Sequence, residues 1–122
     1  MTKATTGKIA HLSGQVAEEH VARHYVRNGW RLLQQRYRNA AGEIDLILRR
    51  ADTILCVEVK RARTHAAAAA RISLHQITRI HQCAEIYVSV HFEGCNIDIR
   101  MDAALVDQNG VIEIIPNALA GF

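Results

Sequence analysis

Cysteine is sparse in this 122-residue chain and badly spaced for bonding: Cys56, Cys83 and Cys95 are odd in number, far apart and without a CxxC pair. That argues against a disulfide framework and against a four-cysteine zinc site. Cys56 falls in an apolar strand pattern and Cys83 beside a helical stripe, so both read as small buried hydrophobes. The seven histidines include no HExxH or H-x-H pattern, which removes the usual zinc enzymes. There is no glycine-rich phosphate loop, no G-x-S-x-G elbow and no Cys/His pair at recognisable spacing. Aromatic residues make up only 5% and form no stacking strip, and neither a zinc finger nor a recognition helix is evident. No apolar run approaches the roughly 20 residues of a membrane span. The opening MTKATTGKIAHLSGQ is basic but lacks the apolar stretch of a secretory signal. A cytoplasmic protein without a membrane partner is the expectation.

The chain holds 49% hydrophobic and 22% charged residues, an ordinary globular balance that suits one domain over 1–122, with the first eight or so residues expected to be disordered. The formal charge is +3 and the pI about 9.0, which permits a polyanionic partner without demanding one.

Positions 9 to 28 read as a helix stopped by Gly29, with Val21, Ala22, Tyr25 and Val26 on one face. Trp30 to Tyr37 is a first strand, followed by the turn Asn39-Ala-Ala-Gly42. Glu43 to Arg49 and Ile54 to Lys60 form two further strands at hairpin separation. The stretch RARTHAAAAAR fits helix or loop equally. Ser73 to His91 is a second long helix with its stripe on Ile77, Ile80, Ala84, Tyr87 and Val88. Asn96 to Asp107 and Val111 to Ile115 complete the strands, joined by the turn Asp107-Gln-Asn-Gly110. The order describes an α/β domain with a central mixed sheet between helices.

Charges stand where buried strands ought to be apolar. Asp45 lies between Ile44 and Leu46, Glu58 between Val57 and Val59, and Lys60 closes the second run. Strand alternation puts Glu58 and Lys60 on one face. A register that brings Asp45 to Glu58 would converge two carboxylates, which need a cation between them or strongly shifted pKa values. Mg²⁺ takes one or two protein carboxylates and keeps waters and phosphate oxygens for the rest. Asp45 and Glu58 are therefore the candidate metal ligands, for Mg²⁺ or Mn²⁺, with Lys60 as the catalytic ammonium of a phosphodiester hydrolase. Their bland alternative is a structural ion pair, Asp45 with Lys60 or Arg100. Glu43, next to Asp45, reads as a strand-edge or surface charge.

Asp45, twelve intervening residues and then Glu58-Val-Lys60 resemble the core of the PD-(D/E)XK nuclease superfamily. Gly14-x-x-x-Glu18, Gly29, Gly42-Glu-Ile-Asp-Leu-Ile47, Val57-Glu-Val-Lys60, the alanine block and Met101-Asp102 more closely resemble the YraN-like family (UPF0102) over about positions 14 to 107. The resemblance implies a restriction-endonuclease-like three-layer fold, similar to archaeal Holliday junction resolvases, in which an acidic residue of the first helix joins the Asp, Glu and Lys. Glu18 matches that position, and a helix wheel places it between Ala22 and Tyr25 on the apolar stripe. Two departures stand out: Lys60-Arg-Ala-Arg63 replaces the family's K-T-R, and Gln76 stands where a Lys is usual early in the second long helix.

Arg61, Arg63, Arg71 and Arg79 are candidates for a phosphate-tracking rim, with a solvated basic edge as the alternative. His75 is a marginal candidate at the start of the second long helix. DNA is the expected partner, and a two-fold homodimer would suit a junction-type enzyme. Three readings stay open: a metal-dependent endonuclease acting on DNA, branched DNA included; a non-catalytic nucleic-acid-binding module of the same fold; and an interaction scaffold. The intact Asp45, Glu58 and Lys60 argue against the last.

Overall fold

The computed structural model describes residues 3–118, with side chains from residue 14 onward. Its first helix, α1 (Lys3–Arg27), is followed by three strands, β1 (Arg31–Asn39), β2 (Gly42–Arg50) and β3 (Thr53–Arg61). A short helix α2 (His65–Ala69) and a long helix α3 (Leu74–His91) lead to β4 (Asp98–Val106) and β5 (Ile112–Ile115). Of the first eight residues, expected to be disordered, Met1 and Thr2 lie outside the described part, and the backbone is helical from Lys3.

Helix α1 runs through Gly14 and stops before Gly29. Gly29 has φ 91°, its N–H donates to Val26 O at 3.1 Å, and the Trp30 N–H donates to Tyr25 O at 3.1 Å. This is the Schellman pattern, and the hydrophobic contact that accompanies it is the edge-to-face pair of Tyr25 and Trp30, 6.5 Å between centroids. The alanine block resolves as α2 because the Thr64 hydroxyl accepts from Ala67 N at 3.0 Å. Ser73 caps α3 in the same way through Gln76 N, at 3.1 Å.

The strands form one sheet in the order β1-β2-β3-β4-β5. All neighbours are antiparallel except β3 and β4, which are parallel and joined through α2 and α3. A core on the α1 side gathers Ala17, Val21, Tyr25, Trp30, Leu46, Leu48, Leu55 and Val57. The α3 side gathers Ile44, Ile47, Ile54, Cys56, Ile80, Cys83, Tyr87 and Met101. Both faces are covered, which explains why β2 and β3 carry nearly continuous aliphatic runs.

Within β2 alternation fails once, and the failure lies at the candidate site. Leu46 and Leu48 pack toward α1, yet Ile44 packs with Ile47 toward α3. Between them Asp45 sits across from Arg36, whose φ is 51°; the pairs Gln35↔Leu46 and Tyr37↔Ile44 bracket this unpaired step. The β2–β3 ladder also ends there, with Leu46↔Val57 as its last pair. The two strands separate just where the carboxylates begin.

Candidate functional site

The β2–β3 register, continued one step beyond Leu46↔Val57, sets Asp45 opposite Glu58. Because the ladder has opened, the Asp45 side chain turns into the gap and its Oδ2 accepts from the Val59 N–H at 2.8 Å. Glu58 is buried, 8% exposed, on the face that looks toward α3. Its Oε1 receives both the Lys60 Nζ at 3.1 Å and the Gln76 Nε2 at 2.9 Å. Lys60 and Glu58 thus share one face, as i and i+2 residues of a strand must.

Among the described residues, the hydrogen bonds to Glu58 fall on Oε1 and the one to Asp45 falls on Oδ2. Each carboxylate therefore keeps a second oxygen for another ligand. The electrostatics match this picture. Burial, then the Asp45 charge, push the Glu58 carboxyl up from its ordinary 4.5 to about 7, against the opposing pull of Lys60. Asp45 is also raised, first by burial; the Val59 N–H and Lys60 offset this, while Glu18 and Glu43 add to it. The Asp45 carboxylate lies near enough to Glu58 for its charge to act on it. One lysine does not neutralise this pair.

Glu18 comes to the rim of the same site, half-buried, and its Oε2 takes the Arg36 Nε at 3.0 Å. It is near enough for its charge to act on Asp45. Glu43 lies exposed at the strand edge, ion-paired with Arg38 at 3.0 Å. Of the basic candidates, Arg79 lies one α3 turn from Gln76, its Nε donating to Ala41 O at 3.3 Å. Arg71 donates through Nη1 to the Arg61 carbonyl at 3.0 Å, bracing the exit of β3. Arg61, Arg63, Arg71 and Arg79 are all exposed. Arg100 pairs with Asp102 instead of Asp45, its Nε and Nη2 donating to Asp102 at 3.0 and 2.9 Å.

Sequence reasoning missed Arg36, whose positive φ and pairing with Glu18 leave no mark in residue order. It noted Gln76 only as a departure from a family pattern, whereas the amide is a direct partner of Glu58. Asp102, read only as part of a resemblance, is the most buried carboxylate described, at 1% exposure. It is fully satisfied by Tyr25 Oη at 2.8 Å, Asn117 N at 2.8 Å and the Arg100 guanidinium. That network ties α1 to β4 on the opposite face and has no spare oxygen for chemistry.

Among the described residues, no three His, Cys, Asp or Glu side chains gather into a metal cage. The donor set nonetheless fits a hard dication that brings its own waters and phosphate oxygens: two carboxylates, each with a free oxygen and raised proton affinity.

Comparison with known proteins agrees with the motifs. The model of the uncharacterised protein family UPF0102 matches residues 17–106, a span from α1 to the end of β4. The chain belongs to the UPF0102 family. A UPF0102 protein of Cereibacter sphaeroides is 44% identical over 115 residues, covering 94% of this chain and 98% of that protein. One from Ruegeria pomeroyi is 41% identical over 115 residues, 94% of each chain. One from Dinoroseobacter shibae is 36% identical over 111 residues, covering 91% of this chain and 83% of its own length. The matched span contains Glu18, Asp45, Glu58, Lys60 and Gln76. Among the described residues no helix is long and apolar enough to cross a membrane.

Proposed function

We propose that this UPF0102 protein is a metal-dependent endonuclease of the PD-(D/E)XK superfamily, with a restriction-endonuclease-like fold, acting on DNA and on branched DNA among its substrates. One observation carries the reading: Asp45 and Glu58 face each other where β2 leaves β3, with Lys60 bonded to Glu58 on the same face. A buried pair of like charges beside one ammonium is costly as a structural device and useful as a cation site.

Asp45 and Glu58 would hold Mg²⁺ or Mn²⁺. Such a cation supplies charge stabilisation to a phosphate oxygen and lowers the pKa of a bound water. The remaining work belongs to the chain. Val59 N–H fixes the Asp45 carboxylate, Gln76 fixes Glu58, and Lys60 places a positive charge where an attacking or leaving oxygen develops charge. Glu18, held by Arg36, adds a third carboxylate at the rim. Arg61, Arg63 and Arg71 would follow the phosphate backbone on the exposed side, with Arg79 contacting the nucleic acid beside the carboxylates.

The test is cleavage of linear, nicked, flapped and four-way DNAs with and without Mn²⁺. Wild type should cut at least one of them only with metal, and Asp45→Asn, nearly isosteric, should lose that cleavage by at least about a hundredfold while remaining folded. Binding without cleavage by wild type would leave a non-catalytic nucleic-acid-binding module. Equal cleavage by wild type and Asp45→Asn would place the chemistry elsewhere.

A further inference from the structure

Beside the carboxylates lies a cleft of about 260 Å³ lined by Gly42, Glu43, His75, Gln76, Arg79 and Ile80. Gln76 belongs to both places: its side chain lines the cleft and its Nε2 donates to Glu58 Oε1 at 2.9 Å. Whatever enters the cleft is therefore one side chain away from the candidate site.

The lining is chemically mixed. Ile80 gives an apolar floor, and Gly42 leaves a bare strand edge over which the Arg79 side chain lies; a Cβ at 42 would sit 3.6 Å from the Arg79 Cβ. The Arg79 guanidinium is held through Nε by the Ala41 carbonyl at 3.3 Å, so one flat cationic surface is fixed at the wall. Gln76 and His75 bring donors and acceptors. Glu43 brings a carboxylate that Arg38 only half engages, from the exposed side, at 3.0 Å.

A phosphate is poorly matched to a cleft that contains a carboxylate and an apolar floor. A nucleobase is well matched: it has a flat π-face for the guanidinium and an edge of alternating donors and acceptors for Glu43, Gln76 and His75. The volume lies just under that of drug-sized pockets, roughly 300 Å³ and upward, and suits one base and not a base pair.

We propose that this cleft takes a single unpaired nucleobase next to the phosphate at the Asp45–Glu58 site, so that the preferred substrate is DNA with an unpaired nucleotide rather than continuous duplex. A base inside an intact duplex cannot reach such a cleft without unpairing and unstacking, at a cost of a few kcal/mol that a bulge, flap or branch has already met. The inference rests on the nuclease reading above, and its test separates the two.

Fluorescence anisotropy would compare three labelled duplexes in Ca²⁺: fully paired, with one unpaired nucleotide, and with an abasic residue at that same extra position. The expected order is tightest for the unpaired nucleotide, by about tenfold over both others. Since the abasic strand keeps the backbone distortion, the gap between the last two isolates the base itself. His75→Trp fills the cleft from an exposed position on α3, and should bring the ratio between unpaired and abasic DNA to about one. Equal affinity of wild type for unpaired and abasic DNA would overturn the base cleft and leave the nuclease reading untouched. Binding to none of the three at low salt would overturn both.

Discussion

Two buried carboxylates in one small domain are treated in opposite ways, and the difference lies in their neighbours. Asp102 receives the Tyr25 hydroxyl, the Asn117 N–H and two guanidinium bonds, so it is held as a paired anion. Asp102→Ala would strand Arg100 and Tyr25, and the expected loss in urea unfolding is about 3–5 kcal/mol. Glu58, in contrast, is pushed up to about 7 by burial and by Asp45. Its folded pKa lies above its ordinary value, so the folded state holds the proton longer than the unfolded chain. Between roughly pH 4.5 and 7 the metal-free protein should therefore lose stability as pH rises. Glu58→Gln, which needs no proton, should remove this slope and exceed wild type above pH 7 by on the order of 1–3 kcal/mol in metal-free buffer. Thermal unfolding at a series of pH values reads it directly; parallel curves for the two proteins would show that Glu58 is an ordinary ion-paired anion. The two buried cysteines have no part in this chemistry, since burial raises the Cys56 thiol to about 12 and raises Cys83 as well.

At the scale of the elements, two glycines, Gly14 within α1 and Gly29 just past its end, behave oppositely. Gly29 stands at φ 91° in the Schellman turn, where a side chain is strained. Gly29→Ala should cost about 1 kcal/mol or more. Gly14 has no φ in the left-handed region and nothing within 4 Å of where a Cβ would lie. Gly14→Ala should stabilise by about 0.5–1 kcal/mol. Equal signs in chemical denaturation would mean that α1 does not continue through Gly14. Element order was legible in the sequence because hydrophobic periodicity and turn residues are local signals. Gly29, the Asn39–Gly42 turn and the Ile77–Tyr87 stripe all fell close to where they were read. The alanine block was not legible as helix, since only the Thr64 cap separates α2 from a loop. The break at Asp45 was hidden altogether. It depends on Arg36 adopting a positive φ on the neighbouring strand, and strict alternation gave no warning that Ile44 would join the α3-side core. Asp45, Glu58 and Lys60 were still legible, because charge inside an aliphatic strand is conspicuous at any register. Gln76 was not, because its role arises only when α3 docks over β3.

For the molecule as a whole, the +3 charge is modest, so any DNA binding must come from the local arrangement of Arg61, Arg63, Arg71 and Arg79 rather than from net charge. Each phosphate neutralised contributes about −0.9 to the slope of log K against log salt on duplex DNA. Arg61→Ala with Arg63→Ala should make that slope shallower by about one to two units, with similar weakening on four-way and linear DNA, measured by anisotropy at several salt concentrations. An unchanged slope would mark these arginines as a solvated edge. The proposed site requires that Asp45 and Glu58 jointly hold a divalent cation. Titration of Mn²⁺ into metal-free protein with duplex DNA, followed by the electron paramagnetic resonance signal of free Mn²⁺, addresses it without requiring turnover. Wild type should remove Mn²⁺ from solution, and Asp45→Asn and Glu58→Gln should each weaken that uptake by at least about tenfold, as expected when one of two anionic ligands is neutralised. Equal uptake by all three proteins, or none by wild type, would contradict it.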